Sequence, residues 1–270
     1  MARTTIGNHS PGEDRVGNGS SRRAPLYVGT SGWNYPDWKP LLYGDSPRGQ
    51  WLALYARRFP AVEVDSSFYR RHGAETYRRW AEVTPAAFAF ALKGHRWITH
   101  RKRLAGSEES LRLQISDASP LGSKLKAFLW QLPGSFRKDL GRLESFAKAL
   151  AGQGGCARHV LEFRHPSWFD AEVVSLLGHY RIGSCQSDAA DWPLWDAITT
   201  DLVFVRLHGG EATYASSYSE NELASWAERV KTWQREARTV HLYFDNTAGG
   251  AAVENALSLL ALLEGKESLP

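Results

Sequence analysis

Residues 61–65 read Ala-Val-Glu-Val-Asp, an apolar run interrupted and closed by carboxylates. Successive side chains of a strand point to opposite faces, so Val62 and Val64 share one face and Glu63 and Asp65 the other. A strand wrapped by helices turns its apolar face outward, which sends Glu63 and Asp65 inward. The same pattern recurs along the chain. LYVGTS (26–31) ends at Ser31, FAFALK (88–93) at Lys93 and AFLWQ (127–131) at Gln131. HVLEFRH (159–165) ends at Arg164 and His165, and GSCQSD (183–188) at Asp188. LVFVRLH (202–208) ends at Arg206 and His208, and TVHLYFDN (239–246) at Asp245 and Asn246. That makes about eight runs, the strand count of a closed β/α barrel. Polar groups gathered at one end of buried strands are costly unless they bind or catalyse something.

The intervening sequence supports parallel βαβ units. Helices are predicted near 50–58, 74–81, 107–121 and 140–150, then over 171–179 behind an Asp170 N-cap. Another starts at Ser219 with Glu222 three residues on, a capping box. An Ala/Leu-rich helix follows the Gly-Gly turn near the end. Little sequence separates 188 from 202, so the unit between the sixth and seventh strands must be short or irregular. A doubly wound sheet would carry a Gly-rich phosphate loop after its first strand, and GTSGW is not one. The reading is a TIM-type (β/α)8 barrel over residues 25–265. Residues 1–24, rich in Gly, Ser, Asn and Arg, are read as a disordered leader.

At 270 residues, 43% hydrophobic and 23% charged, the chain suits one soluble barrel with a full core. Its 2 cysteines, Cys156 and Cys185, lack metal-ligand spacing, which excludes a disulfide framework and a zinc site. No apolar stretch approaches a membrane span, and the first residues lack a signal-peptide core, so a cytoplasmic location is expected. The net charge of +4 suits an anionic small molecule or nucleic acid, although a solvated surface explains it equally. Trp33, Trp97, Trp168 and Trp192 flank strand ends, where they would wall a cleft or simply pack.

Parity assigns the inward side chains. Lys93 follows Ala89 and Ala91, Glu162 shares a face with Arg164, Arg206 with His208, and His241 with Tyr243 and Asp245. A buried lysine needs a reason, either a lowered pKa for covalent chemistry or an anionic ligand. His165 and His208 end strands where an acid–base group is useful. Glu63 with Arg206, and Glu162 with Arg164, read equally as buried ion pairs.

The motifs GTSGWNYPDW (29–38), FPAVEVDSSFYR (59–70), FAFALKGHRWITH (88–100), LWQLPGSF (129–136), LEFRHPSWF (161–169), FVRLHG (204–209) and YFDN (243–246) occur in this order. Together they closely resemble the domain of unknown function 72 family, also called YecE-like, over residues 26–262. The resemblance implies a TIM-type barrel and no particular reaction. It implies a pocket of Ser31, Trp33, Glu63, Ser67, Tyr69, Lys93, His100, Gln131, Glu162, Arg164, His165, Asp188, Arg206, His208 and Asn246. Asp65 and Asp245 stand where the family pattern commonly has Asn, and both make the mouth more acidic.

The function expected is an isomerase, epimerase or hydrolase acting on a small polar or anionic, sugar- or phosphate-bearing substrate. Glu63, Lys93, Glu162, His165 and His208 would carry the chemistry and the remaining pocket residues, Asp65 and Asp245 included, would bind. Trp33, Tyr69 and Trp168 would stack on a ring, while Arg164, Arg206 and Lys93 hold anionic groups. No cofactor is expected. A metal-dependent reading, in which Glu63, Asp65, Glu162 and Asp188 hold Mg²⁺ or Mn²⁺ in a hydrolase acting on nucleic acid, is disfavoured because three cations share those faces. A ligand-sensing barrel without catalysis is the third reading.

Overall fold

The computed structural model describes residues 24–265. Eight parallel strands form one sheet in the order β1-β8-β7-β6-β5-β4-β3-β2. They are β1 (Leu26–Thr30), β2 (Ala61–Val64), β3 (Ala89–Lys93), β4 (Leu125–Gln131), β5 (Arg158–Glu162), β6 (Gly183–Asp188), β7 (Leu202–Leu207) and β8 (Thr239–Phe244). Around them run α1 (Trp51–Tyr55), α2 (Ser66–Tyr69), α3 (Ala74–Glu82), α4 (Glu108–Ala118), α5 (Leu140–Ala151), α6 (Ala171–His179), α7 (Glu220–Arg235) and α8 (Ala251–Glu264). This is the TIM-type barrel that the strand pattern predicts. The proposed leader, residues 1–24, lies outside the described residues except for Ala24, whose carbonyl accepts from Gln234 at 2.9 Å.

Local chemistry sets the helix starts. Asp170 accepts from the N–H groups of Glu172 and Val173 to open α6. The Ser219–Glu222 capping box opens α7, and Asp139 caps α5 through the Arg142 N–H. Between β6 and β7 no helix forms, as the short spacing requires. Residues 189–201 instead run along the outside of β6, where the Ser184 N–H donates to Thr199 Oγ1 and Gln186 Nε2 to the Asp196 carbonyl. Gln186 Oε1 also accepts from Arg229 at 2.6 Å. That cover gives the outward polar residues of β6, Ser184 and Gln186, their hydrogen-bond partners.

The strand faces sort as parity demands. Phe88, Phe90, Leu92, Phe128 and Trp130 join the helices in the outer core. The barrel interior is a separate cluster in which Ala61, Ala89, Ala91 and Ala127 leave room for Phe204 and Tyr243. His241 is buried beside them, stacked on Phe204 and hydrogen-bonded to the Tyr243 hydroxyl at 2.9 Å. Burial pushes its imidazole down to about 3, so it is a neutral core residue. Among the described residues no helix is long and apolar enough to cross a membrane.

Closure is the least regular part of the barrel. β1 meets β2 at its upper end through a Ser31–Glu63 bridge, with the Gly32 N–H donating to the Glu63 carbonyl at 2.7 Å. Lower down, the Tyr55 hydroxyl spans the seam. It donates to the Ala61 carbonyl at 3.0 Å and accepts from the Thr30 N–H at 2.9 Å. Gly29 makes the close approach feasible, because a Cβ there would lie 2.0 Å from the Ala61 carbonyl oxygen. Gly29→Ala is therefore expected to lower stability by about 2–3 kcal/mol, read from urea unfolding. A variant as stable as the parent would show that the seam is not tightly packed.

Candidate active site at the barrel mouth

The upper layer of the barrel is organised by one guanidinium. Arg206, at the end of β7, is wholly buried and uses all five of its N–H donors. Nε and Nη2 hold Glu63 of β2 in a bidentate pair at 2.9 and 2.8 Å. Nη1 donates to Glu162 of β5 at 2.8 Å and, at 3.3 Å, meets His208 Nε2. The second Nη2 hydrogen goes to Asp245, one residue beyond β8, at 2.8 Å. Glu63 also accepts from Ser31 Oγ at 2.9 Å. Glu162 accepts further from Arg164 Nε at 2.8 Å and Ser187 Oγ at 3.3 Å.

The electrostatics follow from these contacts. Burial would raise the Glu162 carboxyl, but Arg206 and then Arg164 hold it well below its usual range. Burial likewise opposes the charge on Asp245, and Arg206 overrides it downward. Burial and the neighbouring Arg206 lower the His208 pKa and keep the ring neutral. Its Nε2 faces an Arg206 N–H, which leaves the proton on Nδ1. Nδ1 lies 2.9 Å from Asp245 Oδ2, but off the line a straight hydrogen bond requires.

The structure thus separates the residues that the sequence groups together. Glu63 and Glu162, expected to move protons, are committed to ion pairs, and Arg206, expected to hold an anionic group, has no donor left. The ion-pair reading of Glu63 with Arg206 and of Glu162 with Arg164 is what the geometry shows. Several expected ligand contacts are occupied within the protein. Gln131 Nε2 donates to the Leu132 carbonyl, and Ser67 Oγ bridges the carbonyls of Val64 and Lys93. Asp188 accepts from the Tyr218 hydroxyl at 2.7 Å, and Asn246 joins Ser216 to Asn255 of α8. His165 Nδ1 accepts from the Ser167 N–H at 3.1 Å and caps the turn that follows. Trp168 offers no ring to a ligand: it is fully buried in the outer core and donates to the Phe136 carbonyl.

A smaller set faces the open mouth. Lys93 makes no ion pair or hydrogen bond through its ammonium among the described residues, and lies 4.7 Å from the Phe68 ring centre. Burial and then Arg206 push its pKa down, against the pull of Asp245, Glu162 and Glu63. Asp65, half-buried, has no ion-pair partner among the described residues; the Tyr35 hydroxyl reaches it over a long 3.4 Å, and the Ser66 backbone N–H also donates to it. Burial first, then the charge of Asp245, raises its carboxyl, with Lys93 opposing. His100 holds Thr99 Oγ1 through Nδ1 at 2.9 Å, and burial with Lys93 and Arg164 lowers it to about 4. Arg164 is stacked 4.0 Å from the Trp192 ring centre, donates to the Tyr214 hydroxyl at 3.2 Å and retains further N–H groups. Tyr69 lies on the rim, 61% exposed, while Trp33 packs edge-on against Trp80 to one side.

Sequence reasoning passed over Ser187, Tyr35 and Tyr214. Ser187 was open to the parity argument, because Cys185 and Ser187 share the inward face of β6. Tyr35 and Tyr214 come from loops, and no periodicity marks them. Among the described residues no three His, Cys, Asp or Glu side chains converge as a metal-binding group. The space between Glu63, Glu162 and Asp245 is filled by the Arg206 guanidinium.

Removing that guanidinium leaves buried carboxylates unpaired. Arg206→Met is expected to cost about 3–5 kcal/mol at pH 7 in urea unfolding. Glu162 and Asp245 have depressed folded pKa values, so the stability they contribute is complete above their ordinary values of 4.5 and 3.8 and is lost as pH falls below them. The deficit of Arg206→Met should accordingly shrink at pH 3–4. An equal deficit at both pH values would contradict the pairing.

Comparison with known proteins places this barrel among relatives. The model of the family described as "Protein of unknown function DUF72" matches residues 27–270. The UPF0759 protein YunF of Bacillus subtilis is 26% identical over 88% of this chain and 95% of its own. The UPF0759 protein YecE of Escherichia coli K12 is 29% identical, but that match spans 53% of this chain and 50% of YecE. A solved DUF72 family protein of Thermotoga maritima superposes with a TM-score of 0.77 at 28% identity, covering 89% of this chain and 99% of that one. A glycoside hydrolase family 5 enzyme of Prevotella bryantii, at 11% identity and a TM-score of 0.52, shares the fold alone. The chain therefore belongs to the DUF72 family, as the ordered motifs from Gly29 to Asn246 implied.

Proposed function

We propose that the chain is an enzyme that transfers a proton on a small, anionic, polar substrate held at the barrel mouth, with Asp65 and Lys93 as the acid–base pair. The observation that carries this reading is the contrast in pairing: three carboxylates are held by Arg206, whereas Asp65 and Lys93 face the mouth without ion-pair partners among the described residues. Proton transfer is most effective when donor and acceptor have pKa values drawn toward the working pH. A raised aspartate and a lowered lysine approach that condition from opposite sides. Arg164 adds positive charge beside them, and Tyr69, Trp192 and Tyr214 form the rim. The buried Glu63–Arg206–Glu162 network then serves as a fixed polar floor beside the reacting groups rather than as the reacting groups themselves.

The test is solvent exchange. Sugar phosphates and hydroxy acids incubated with the protein in D2O should include a substrate that gains deuterium at carbon, detected by proton NMR. Asp65→Asn and Lys93→Met should each slow that exchange by about 10²–10⁴-fold without abolishing cooperative unfolding. With Asp65 ionised as base and Lys93 protonated as acid, the rate should fall at acidic pH as Asp65 protonates and at alkaline pH as Lys93 deprotonates. The acidic limb should lie above 3.8 and the alkaline limb below 10.5. Absence of exchange across the panel, or full activity in both variants, would sink the reading.

A further inference from the structure

Beside the mouth lies a cleft of about 740 Å³, walled by the loop after β1 and by the α2–α3 segment. It is a size that accommodates a small organic ligand. We infer that this cleft binds a phosphate ester, its phosphate held by Arg48, Arg70 and Arg79 and its other end directed to Asp65. The inference deepens the acid–base reading above by naming a substrate class, and it rests on that reading only for the reaction at Asp65.

Charge and pairing carry the argument. Arg48, Arg70, Arg71 and Arg79 line the cleft, and Asp65 is its one lining carboxylate. Arg71 is neutralised by Asp117 on α4, but Arg48, Arg70 and Arg79 form no ion pair among the described residues. His72, also in the lining, adds no positive charge near neutral pH, because burial and Arg70 lower it to about 4. The unneutralised charge therefore resides in guanidinium groups, whose planar, forked donors match phosphate oxygens.

The rest of the wall suits the body of an ester. Trp33, Trp80, Leu52 and Val83 contribute apolar surface between the arginines. Asp65 belongs to both places, lining the cleft while it feels the charges of Lys93 and Asp245 at the mouth. A ligand anchored by phosphate in the cleft would thus present its unphosphorylated end to the acid–base pair. A free carboxylate would engage fewer of the three arginines than a phosphate dianion does.

Phenyl phosphate, with benzoate as its carboxylate counterpart, provides the probe. In isothermal titration at low salt, phenyl phosphate should bind at one site at least tenfold more tightly than benzoate. The doubly substituted Arg70→Ala/Arg79→Ala protein should lose at least tenfold in affinity. Both side chains are exposed, and an unchanged unfolding midpoint would confirm that the fold is intact. Lys93→Met should bind phenyl phosphate within about twofold of the parent. No binding of phenyl phosphate, equal binding of benzoate, or affinity unaffected by the arginine substitutions would overturn the assignment. Affinity lost in Lys93→Met and kept in the arginine variant would place the phosphate at the mouth, overturning the cleft while leaving the acid–base pair standing. Loss confined to the arginine variant supports the cleft even if the deuterium exchange at Asp65 fails.

Discussion

Arg206 is the residue on which the upper half of the barrel depends. It reaches from β7 to Glu63 on β2, Glu162 on β5 and Asp245 beyond β8, so one side chain ties together strands from opposite sides of the wall. Burying a guanidinium and three carboxylates carries a large desolvation cost, recovered only where every donor and acceptor is matched. Here the five donors are matched, and Ser31, Ser187 and Arg164 occupy remaining carboxylate positions. The result is a rigid polar layer rather than a set of independent acids. It rests directly on the apolar interior of Phe204, Tyr243 and the small alanines.

The same layer helps to close the barrel. Glu63 is held from one side by Arg206 and from the other by Ser31, whose backbone bridges to it across the β1–β2 seam. Regular ladder pairing is sparse there, and the seam relies on Gly29 for backbone approach and on the Tyr55 hydroxyl for a shared hydrogen-bond partner. Packing and site chemistry are thus joined at Glu63, which belongs to the closure of the fold as much as to its mouth.

The architecture was readable because a strand's period of two converts sequence into direction. Once the outer faces of 61–65, 88–93 and 202–208 were assigned to the helices, the inward positions of Glu63, Lys93 and Arg206 followed. Asp170 and the Ser219–Glu222 pair fixed helix starts for equally local reasons. Pairing across the barrel was not readable in the same way. Parity says that Glu162 and Arg206 point inward, but the choice of partners depends on strand tilt and register across some forty residues of chain. Arg206 therefore looked available to a ligand, although its donors are saturated. Trp168 misled for a related reason: it sits next to a strand end in sequence, yet the turn begun by His165 folds it back under Phe136.

A charge count explains why Asp65 behaves differently from its neighbours. The mouth gathers Glu63, Glu162, Asp245 and Asp65 against Arg206, Arg164 and Lys93, with His208 neutral. Four acids meet three cations, and geometry decides which acid is in excess. Asp245 is held by Arg206 and lies against His208, so its charge is accommodated. Asp65 has no such contact and is pushed upward by burial and by Asp245 itself. The two aspartates are therefore not equivalent. Acid at 245 completes the Arg206 network, whereas acid at 65 adds a charge that the network leaves without an ion pair. A cationic ligand group, or a proton, would relieve it. On the proposed reading, the chemistry of the mouth lies at Asp65 and Lys93, one strand end apart, and a substrate would approach from the arginine-lined cleft that adjoins Asp65.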